Sequence, residues 1–283
     1  MSRVLILGST GSLGLILANY LKRKNYTIFT DKKYKHKLKK VNNLKTLKKI
    51  VLLSQPDIII NLVAMTNVDL CEKKKFLAKK SNVLFVRNLI NILKKITKKT
   101  HLIHISTDQV YSGKGNHSEN NAYPINYYGK SKLEGEKIAR KVASTIFRIN
   151  YISATEKKKS LSEWIFFNLK RKNIIKTFQN IYFSPLHSST LVKLLTQSLK
   201  TKKYGVFNLG SKNKISKAKF AEKFALGLSL DKNLLKRVNY LPNNSMAKRP
   251  LDMSMKVNKF QKYFKIKLPS IETEIKKLIK DFK

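Results

Sequence analysis

The sequence predicts an α/β fold in which a doubly wound parallel sheet is combined with a smaller, partly interleaved C-terminal lobe. A short apolar run over 3–7 ends at a glycine and is followed by apolar residues at helical spacing. The segment over 57–63, DIIINLV, is apolar almost throughout, as expected of a strand buried on both faces of a parallel sheet. Strand-like and helix-like segments alternate over roughly residues 1–150, which is typical of right-handed β-α-β units.

The other segments follow from the same periodicities. Strands are expected at 26–30, 101–106, 145–149 and 205–209, and helices at 44–53, 76–96, 128–142, 164–169, 191–199 and 271–282. The pattern predicts an N-terminal domain over 1–150 and a lobe over 151–283, with 180–210 returning to the sheet. Trp164 lies in an apolar stretch and is expected to belong to the core.

Composition excludes several classes of protein. The 283 residues are 42% hydrophobic and 10% aromatic, which excludes a disordered chain and allows a sizeable core. The single cysteine, Cys71, excludes a disulfide framework, and the five scattered histidines give no spacing typical of a metal site. No apolar run approaches the ~20 residues of a membrane span, and the apolar N-terminus indicates a strand rather than a signal peptide. We therefore expect a cytoplasmic protein without a metal or a membrane span.

The formal net charge of +44 suggests a nucleic acid or an anionic membrane as partner. However, only 8 of the 60 basic residues are Arg, the side chain that forks onto phosphate and guanine. The lysines are spread along the whole chain, as in proteins from genomes rich in A and T. We therefore expect no nucleic-acid partner, and a functional polyanion surface stays as the alternative.

Three glycines, Gly8, Gly11 and Gly14, lie between the first strand and the first helix. In this setting the first permits a tight turn, the second lets a pyrophosphate approach the backbone, and the third lets the helix pack against the sheet. Free N–H groups at the helix N-terminus then face the anion. The motif predicts a Rossmann-like, dinucleotide-binding domain, with Thr10, Ser12 and Leu13 also assigned to the cofactor.

Asp31 ends the second strand, where a carboxylate can accept hydrogen bonds from the adenosine ribose of NADH. Lys32 and Lys33 follow directly and can neutralise the 2′-phosphate of NADPH. The choice between NADH and NADPH therefore stays open.

A tyrosine and a lysine four residues apart, Tyr128 and Lys132, share one face of a predicted helix. A cation about 4 Å from a phenol is worth at most about 4 kcal/mol at an effective dielectric constant of about 20. We expect Lys132 to lower the pKa of Tyr128 toward neutrality, as suits a general acid. Ser106 and Thr107 lie at the carboxyl end of the strand over 101–106, where open α/β sheets bind ligands.

These motifs, in this order, resemble the extended short-chain dehydrogenases/reductases, and among them the dTDP-4-dehydrorhamnose reductases. The resemblance extends over nearly the whole chain. It is carried by GSTGSLG (8–14), PDIIINLVAMTNVDLCE (56–72), ISTDQVYSG (105–113), YYGKSKLEGE (127–136), FRINYIS (147–153), GVFNLG (205–210) and KRPLDMSM (248–255).

The resemblance implies reduction of the C4 keto group of a nucleotide-linked 6-deoxy sugar, dTDP-4-dehydrorhamnose, to dTDP-rhamnose, for a surface polysaccharide. It implies that Thr107, Tyr128 and Lys132 are catalytic, with Tyr128 as proton donor and Lys132 on the nicotinamide ribose. It adds Val63, Ala64 and Asn82 to the cofactor site. The residues that it places at the substrate are Thr66, Val68, Asp108, Gln109 and Tyr151 for the sugar and Arg249 for the diphosphate.

The chain departs from this family at three points. Gln109 replaces an aromatic residue, Tyr151 replaces a tryptophan, and Asn42 or Asn43 replaces an acidic residue. The first two bear on substrate identity more than on the reaction. Two alternatives stay open, which are another nucleotide-sugar reductase or epimerase and a non-catalytic, cofactor-binding regulatory subunit. A homodimer is a further expectation.

Overall fold

The computed structural model describes residues 1–31, 43–154, 160–242 and 246–283. The predicted cofactor residue Lys32, its neighbour Lys33 and Asn42 lie outside these ranges.

A parallel six-stranded sheet forms the centre of the molecule. Its strands are β1 (Arg3–Leu7), β2 (Thr27–Thr30), β3 (Ile58–Asn61), β4 (His101–Thr107), β5 (Ser144–Ile149) and, much later in the chain, β10 (Gly205–Leu209). They lie in the order β10-β5-β4-β3-β1-β2, which reverses at β1, so the sheet is doubly wound.

Helices cover both faces of this sheet, and each face has its own core. One face packs on α1 (Ser12–Lys22), α8 (Ser188–Ser198) and α10 (Asn258–Phe264). The other face packs on α2 (Leu44–Ser54), α5 (Phe85–Lys95) and α6 (Tyr127–Ala139). Two short helices, α3 (Val68–Lys73) and α4 (Lys75–Lys79), lead through a π-helical turn (Lys80–Leu84) into α5.

A second core, apart from the sheet, belongs to the C-terminal part of the chain. Three helices contribute to it, which are α7 (Leu161–Lys170), α9 (Lys217–Gly227) and α11 (Ile271–Asp281). The short strands pair in twos, β7 (Ile175–Phe178) with β12 (Leu235–Val238), β8 (Tyr182–Phe183) with β11 (Ile215–Ser216), and β6 (Tyr151–Ile152) with β9 (Leu186–His187). Between these pairs, α8 and β10 run back to the large sheet, so the two parts of the chain are interleaved.

Among the residues that the structure describes, no helix is both long enough and apolar enough to cross a membrane.

Candidate active site

A cavity of about 450 Å³ lies at the carboxyl ends of β1, β3, β4 and β5. This is where ligands bind in open α/β sheets, because the strand order reverses here and the flanking loops part. Its lining combines the glycine loop, the loop after β3, the end of β4 and α6. The predicted residues that line it are Gly8, Gly11, Ser12, Leu13, Gly14, Ala64, Thr66, Val68, Thr107, Asp108, Gln109, Tyr128, Lys132 and Tyr151.

The glycine loop has no room for side chains at two positions. Gly8 has φ +86, a left-handed conformation, and a Cβ there would lie 2.9 Å from the carbonyl carbon of Leu62. A Cβ on Gly14 would lie 2.4 Å from the backbone oxygen of Gly8. Helix α1 therefore starts directly against the strand end, and its N-terminus faces the cavity, as a pyrophosphate requires.

Asp31 closes this loop from behind. Its carboxylate accepts hydrogen bonds from the backbone N–H groups of Gly8 and Ser9, both at 3.0 Å, and from the Ser9 hydroxyl. Asp31 is buried and does not line the cavity. Its oxygens therefore hold the loop, and its contact with the adenosine ribose stays a prediction.

Helix α6 brings Tyr128 and Lys132 to the cavity on one face, as their spacing predicts. The N-terminus of this helix is capped by Asn126, whose side chain accepts a 2.8 Å hydrogen bond from the N–H of Gly129. A Cβ on Gly129 would lie 2.3 Å from the backbone oxygen of Gln109, so glycine here lets the helix approach the end of β4.

Lys132 is buried, and its ammonium group donates a 2.7 Å hydrogen bond to the backbone oxygen of Ile105. Burial lowers the pKa of Lys132 to about 8, and the charge of Glu136, one turn further along α6, opposes this. Burial also raises the pKa of Tyr128 above its usual value, and the hydrogen bond with Thr107 opposes that rise. The prediction that the pKa of Tyr128 is lowered toward neutrality is therefore wrong for this structure, because burial has the largest effect on this pKa and raises it.

Thr107 and Asp108 carry the polar groups at the end of β4. The Thr107 hydroxyl donates to Asp108 at 3.3 Å and accepts a hydrogen bond from the N–H of Gln109. Burial raises the pKa of Asp108 to about 6, although the hydrogen bond from Asn150 and the charge of Lys217 favour its ionised form. A carboxyl group and two hydroxyl groups, those of Thr107 and Tyr128, thus face one small volume.

Two of the three departures from the family pattern, Gln109 and Tyr151, also lie at this cavity. Gln109 contacts the Met253 sulfur through its amide nitrogen at 2.6 Å, and its amide oxygen accepts from Asn126 at 3.2 Å. Tyr151 has a pKa raised by burial, which a hydrogen bond with Ser12 of the glycine loop opposes. Both side chains are thus held in place by hydrogen bonds with neighbouring protein groups.

A second cavity of about 270 Å³ adjoins the first and shares Gln109 and Asn150 with it. Arg249 lines this second cavity. Its guanidinium group is already paired with Asp69 of α3, at 2.7 Å. Trp164 also lines it and is 45% exposed, so the prediction of a core tryptophan is wrong.

Three further predicted cofactor residues lie outside the lining of the first cavity. Thr10 is exposed at the tip of the glycine loop. Val63 packs among the helices on the far face of the sheet. Asn82, buried in the π-helical turn, donates to Ser131 at 2.8 Å and pairs with both backbone groups of Met65, so it braces the loop after β3 against α6.

Sequence reasoning missed several lining residues. Leu62, Ile105, Ile149 and Asn150 line the first cavity, and Lys217 lines the second. Asn150 directly follows β5, so its place at the carboxyl end of a parallel strand is a signal for a lining residue. Lys217 is one of many lysines and has no signal in the sequence.

Across the described ranges, no three His, Cys, Asp or Glu side chains are grouped as a metal site requires.

The chain is similar to known proteins over its whole length. A model of the family described as RmlD substrate binding domain matches residues 2–283. The dTDP-4-dehydrorhamnose reductase of Salmonella typhimurium is 25% identical over 294 aligned positions, which cover 98% of this chain and 96% of that protein. A spore coat polysaccharide biosynthesis protein of Bacillus subtilis, SpsK, is 32% identical over 157 residues, or 54% of each chain.

Among solved structures, a dTDP-4-dehydrorhamnose reductase of Bacillus anthracis in complex with NADP superposes with a TM-score of 0.88. It is 25% identical in sequence, and the superposition covers 99% of this chain and 98% of that one.

Proposed function

The chain belongs to the RmlD substrate binding domain family, and from this premise we propose that it is an NADPH-dependent dTDP-4-dehydrorhamnose reductase. The reaction is reduction of the C4 keto group of the sugar, with dTDP-rhamnose as product. The observation that carries the proposal is the single cavity in which Thr107, Tyr128 and Lys132 face the glycine loop.

The bound nicotinamide cofactor supplies the hydride. Tyr128 donates a proton to the oxygen at C4 as negative charge develops there. A raised pKa suits this role, because the buried phenol then carries its proton at neutral pH. The hydroxyl of Thr107 lies next to Tyr128 and donates a second hydrogen bond to the same oxygen.

Lys132 holds the nicotinamide ribose and faces the developing charge. Its ammonium nitrogen is fixed by the Ile105 oxygen at 2.7 Å. With a pKa of about 8 it is mostly protonated at neutral pH.

NADPH is proposed as the preferred cofactor for two reasons. The Asp31 carboxylate, which in NADH-binding sites accepts from the ribose, is engaged by Gly8 and Ser9 of the loop. The similar Bacillus anthracis reductase holds NADP. Gly8, Gly11, Ser12, Leu13 and Gly14 are the proposed pyrophosphate site.

The substrate is proposed to extend across both cavities, with the sugar in the first and the nucleotide in the second. Thr66, Val68, Asp108 and Tyr151 are the proposed sugar contacts in the first cavity. Arg249 and Trp164 face the second, whose volume of about 270 Å³ suits a nucleoside.

A homodimer and a cytoplasmic location complete the proposal. The short helices α3 and α4 expose the apolar side chains of Leu70, Phe76 and Leu77, and Phe76 is 72% exposed. Such a cluster is typical of an interface. Light scattering of the purified protein tests the dimer.

A cytoplasmic location fits a reaction that consumes a reduced nicotinamide cofactor and a sugar nucleotide.

The test is NADPH oxidation by the purified protein with dTDP-, GDP- and UDP-linked 4-keto-6-deoxy sugars. We expect turnover with the dTDP sugar and a dTDP-6-deoxy sugar as product. Turnover only with another nucleotide favours a different reductase of the superfamily. Cofactor binding without oxidation by any of the three sugars favours a regulatory subunit.

A further inference from the structure

Lys217 is the first residue of α9, and its side chain lines the second cavity together with Arg249 and Trp164. It is partly buried. Its backbone is fixed by a 2.9 Å hydrogen bond from its N–H to the oxygen of Ile181, and Ser216 caps the helix. The position of this lysine is therefore set by the fold and not by a mobile surface segment.

The ammonium group of Lys217 lies 3.4 Å from the centre of the Phe183 ring. A ring face attracts a cation but provides no hydrogen-bond acceptor. Within the described part of the chain, Lys217 has no hydrogen-bonded acceptor and no ion pair within 4.0 Å for this ammonium group. A partly desolvated ammonium in that setting favours an anionic ligand.

In the described part of the chain, no carboxylate forms an ion pair with Lys217, and the other two cations that line this cavity are either paired or exposed. Asp108 acts on Lys217 through its charge, but its oxygens are engaged by Asn150 and Thr107. Arg249, another half-buried cation at this cavity, is paired with Asp69 at 2.7 Å. The remaining lysine of the lining, Lys176, is exposed to solvent.

We propose that Lys217 contacts the diphosphate of the bound sugar nucleotide and makes the cleft selective for a nucleotide diphosphate over an uncharged nucleoside. The ammonium lies at the cavity that adjoins the sugar position through Gln109 and Asn150, which is where a linking diphosphate must pass. The inference rests on the proposed function, because it assumes that a sugar nucleotide spans both cavities.

The experiment measures binding by calorimetry of dTDP-glucose, thymidine, inorganic pyrophosphate and NADPH to the whole protein. The variants are Lys217→Met, which removes the charge at similar length, and Lys217→Arg, which keeps it. Lys219→Met is the matched control, because Lys219 is exposed on the same helix.

We expect Lys217→Met to weaken dTDP-glucose about tenfold or more, because a charge-assisted contact in a partly buried cleft is lost. Lys217→Arg should stay within about threefold of the wild type, and Lys219→Met should not differ from it. Thymidine and NADPH should bind all four proteins equally, and equal NADPH binding also shows that the variants are folded. Pyrophosphate that binds the wild type should bind Lys217→Met more weakly, in parallel with dTDP-glucose, and pyrophosphate binding that Lys217→Met leaves unchanged overturns the inference.

Equal dTDP-glucose affinity for the wild type and Lys217→Met overturns the inference and leaves the proposed function standing. An equal loss for thymidine and dTDP-glucose also overturns it, since Lys217 then supports the nucleoside and not the diphosphate. A wild type that binds NADPH but no dTDP-glucose overturns the inference and the proposed function together.

Discussion

The guanidinium group of Arg249 donates a 2.7 Å hydrogen bond to the carboxylate of Asp69. Asp69 belongs to α3, after the third strand of the sheet, whereas Arg249 lies in the C-terminal part of the chain. The same carboxylate accepts from the N–H of Ala247 at 2.9 Å. This pair joins the two walls of the cleft and competes with any anion that approaches Arg249.

Substitutions of the two partners should affect sugar-nucleotide binding differently. Arg249→Met should raise the KM for the sugar nucleotide about tenfold or more, because one cation of the proposed diphosphate site is lost. Asp69→Asn keeps an acceptor for Ala247 but removes the competing charge, so the KM should fall or stay unchanged. Steady-state kinetics of both variants check this, with the KM for NADPH as the control.

A raised KM for the sugar nucleotide in Asp69→Asn together with an unchanged KM in Arg249→Met would exclude Arg249 from the substrate site. The side chains of the pair are 23% and 33% exposed, so solvent screens it. Either change should cost less than about 1 kcal/mol of stability.

The stability of the protein should depend on pH through Asp108. Its pKa is raised from 3.8 to about 6 by burial, so the folded state holds this proton more tightly than the unfolded state. Its stabilising contribution is therefore complete below about pH 4 and is lost as the pH rises through about 6. The loss is roughly 3 kcal/mol, at about 1.4 kcal/mol for each pKa unit.

Asp108→Asn cannot ionise and should lack this part of the pH dependence. The difference in unfolding free energy between the variant and the wild type, measured in urea from pH 4 to pH 7, should therefore grow in favour of the variant. A difference that does not change with pH would show that Asp108 keeps an ordinary pKa.

Much of this site was predictable because its signals are local in the sequence. The glycine spacing places Gly8 and Gly14 between strand and helix, and the four-residue spacing of Tyr128 and Lys132 is enough to put them on one helix face. The position of Thr107 follows from the end of an apolar strand. Each of these arguments uses only neighbouring residues, so tertiary structure does not change them.

The other features depend on contacts between distant segments. Asp31 accepts hydrogen bonds from the glycine loop, and Lys132 donates one to the backbone oxygen of Ile105. The fold brings the partners of both side chains together from distant parts of the sequence. Asn82 lies in a π-helical turn that periodicity does not reveal. The exposure of Trp164 does have a local signal, since Leu161, Ile165 and Leu169 form the inward stripe of α7 at four-residue spacing and leave Trp164 beside it.

A buried ion pair below the active site should contribute strongly to stability. Arg148 binds Glu136 with both side chains at most 1% exposed, and Glu136 also accepts from the Ser106 hydroxyl at 2.5 Å. Glu136→Gln leaves the guanidinium buried without a counter-charge and should cost about 3 kcal/mol or more of unfolding free energy.

Urea denaturation at neutral pH measures this cost. The double variant with Arg148→Met and Glu136→Met should lose less unfolding free energy than the sum of the losses in the two single Met variants, since no unpaired charge stays buried in the double variant. Full additivity of the two changes would contradict a direct pairing. Arg237→Met is a suitable control, because the pair of Arg237 with Glu222 is at the surface and should contribute little.

The central claim is hydride delivery to the sugar carbonyl with Tyr128 as the proton donor. The most direct measurement follows deuterium from NADPH labelled at the transferred position into the sugar nucleotide, by mass spectrometry, with dTDP-4-dehydrorhamnose as substrate. We expect one deuterium at C4 of the product and a kcat at least about 100-fold lower in Tyr128→Phe. Binding of both NADPH and the sugar nucleotide without deuterium transfer, or an unchanged kcat in Tyr128→Phe, would contradict the claim.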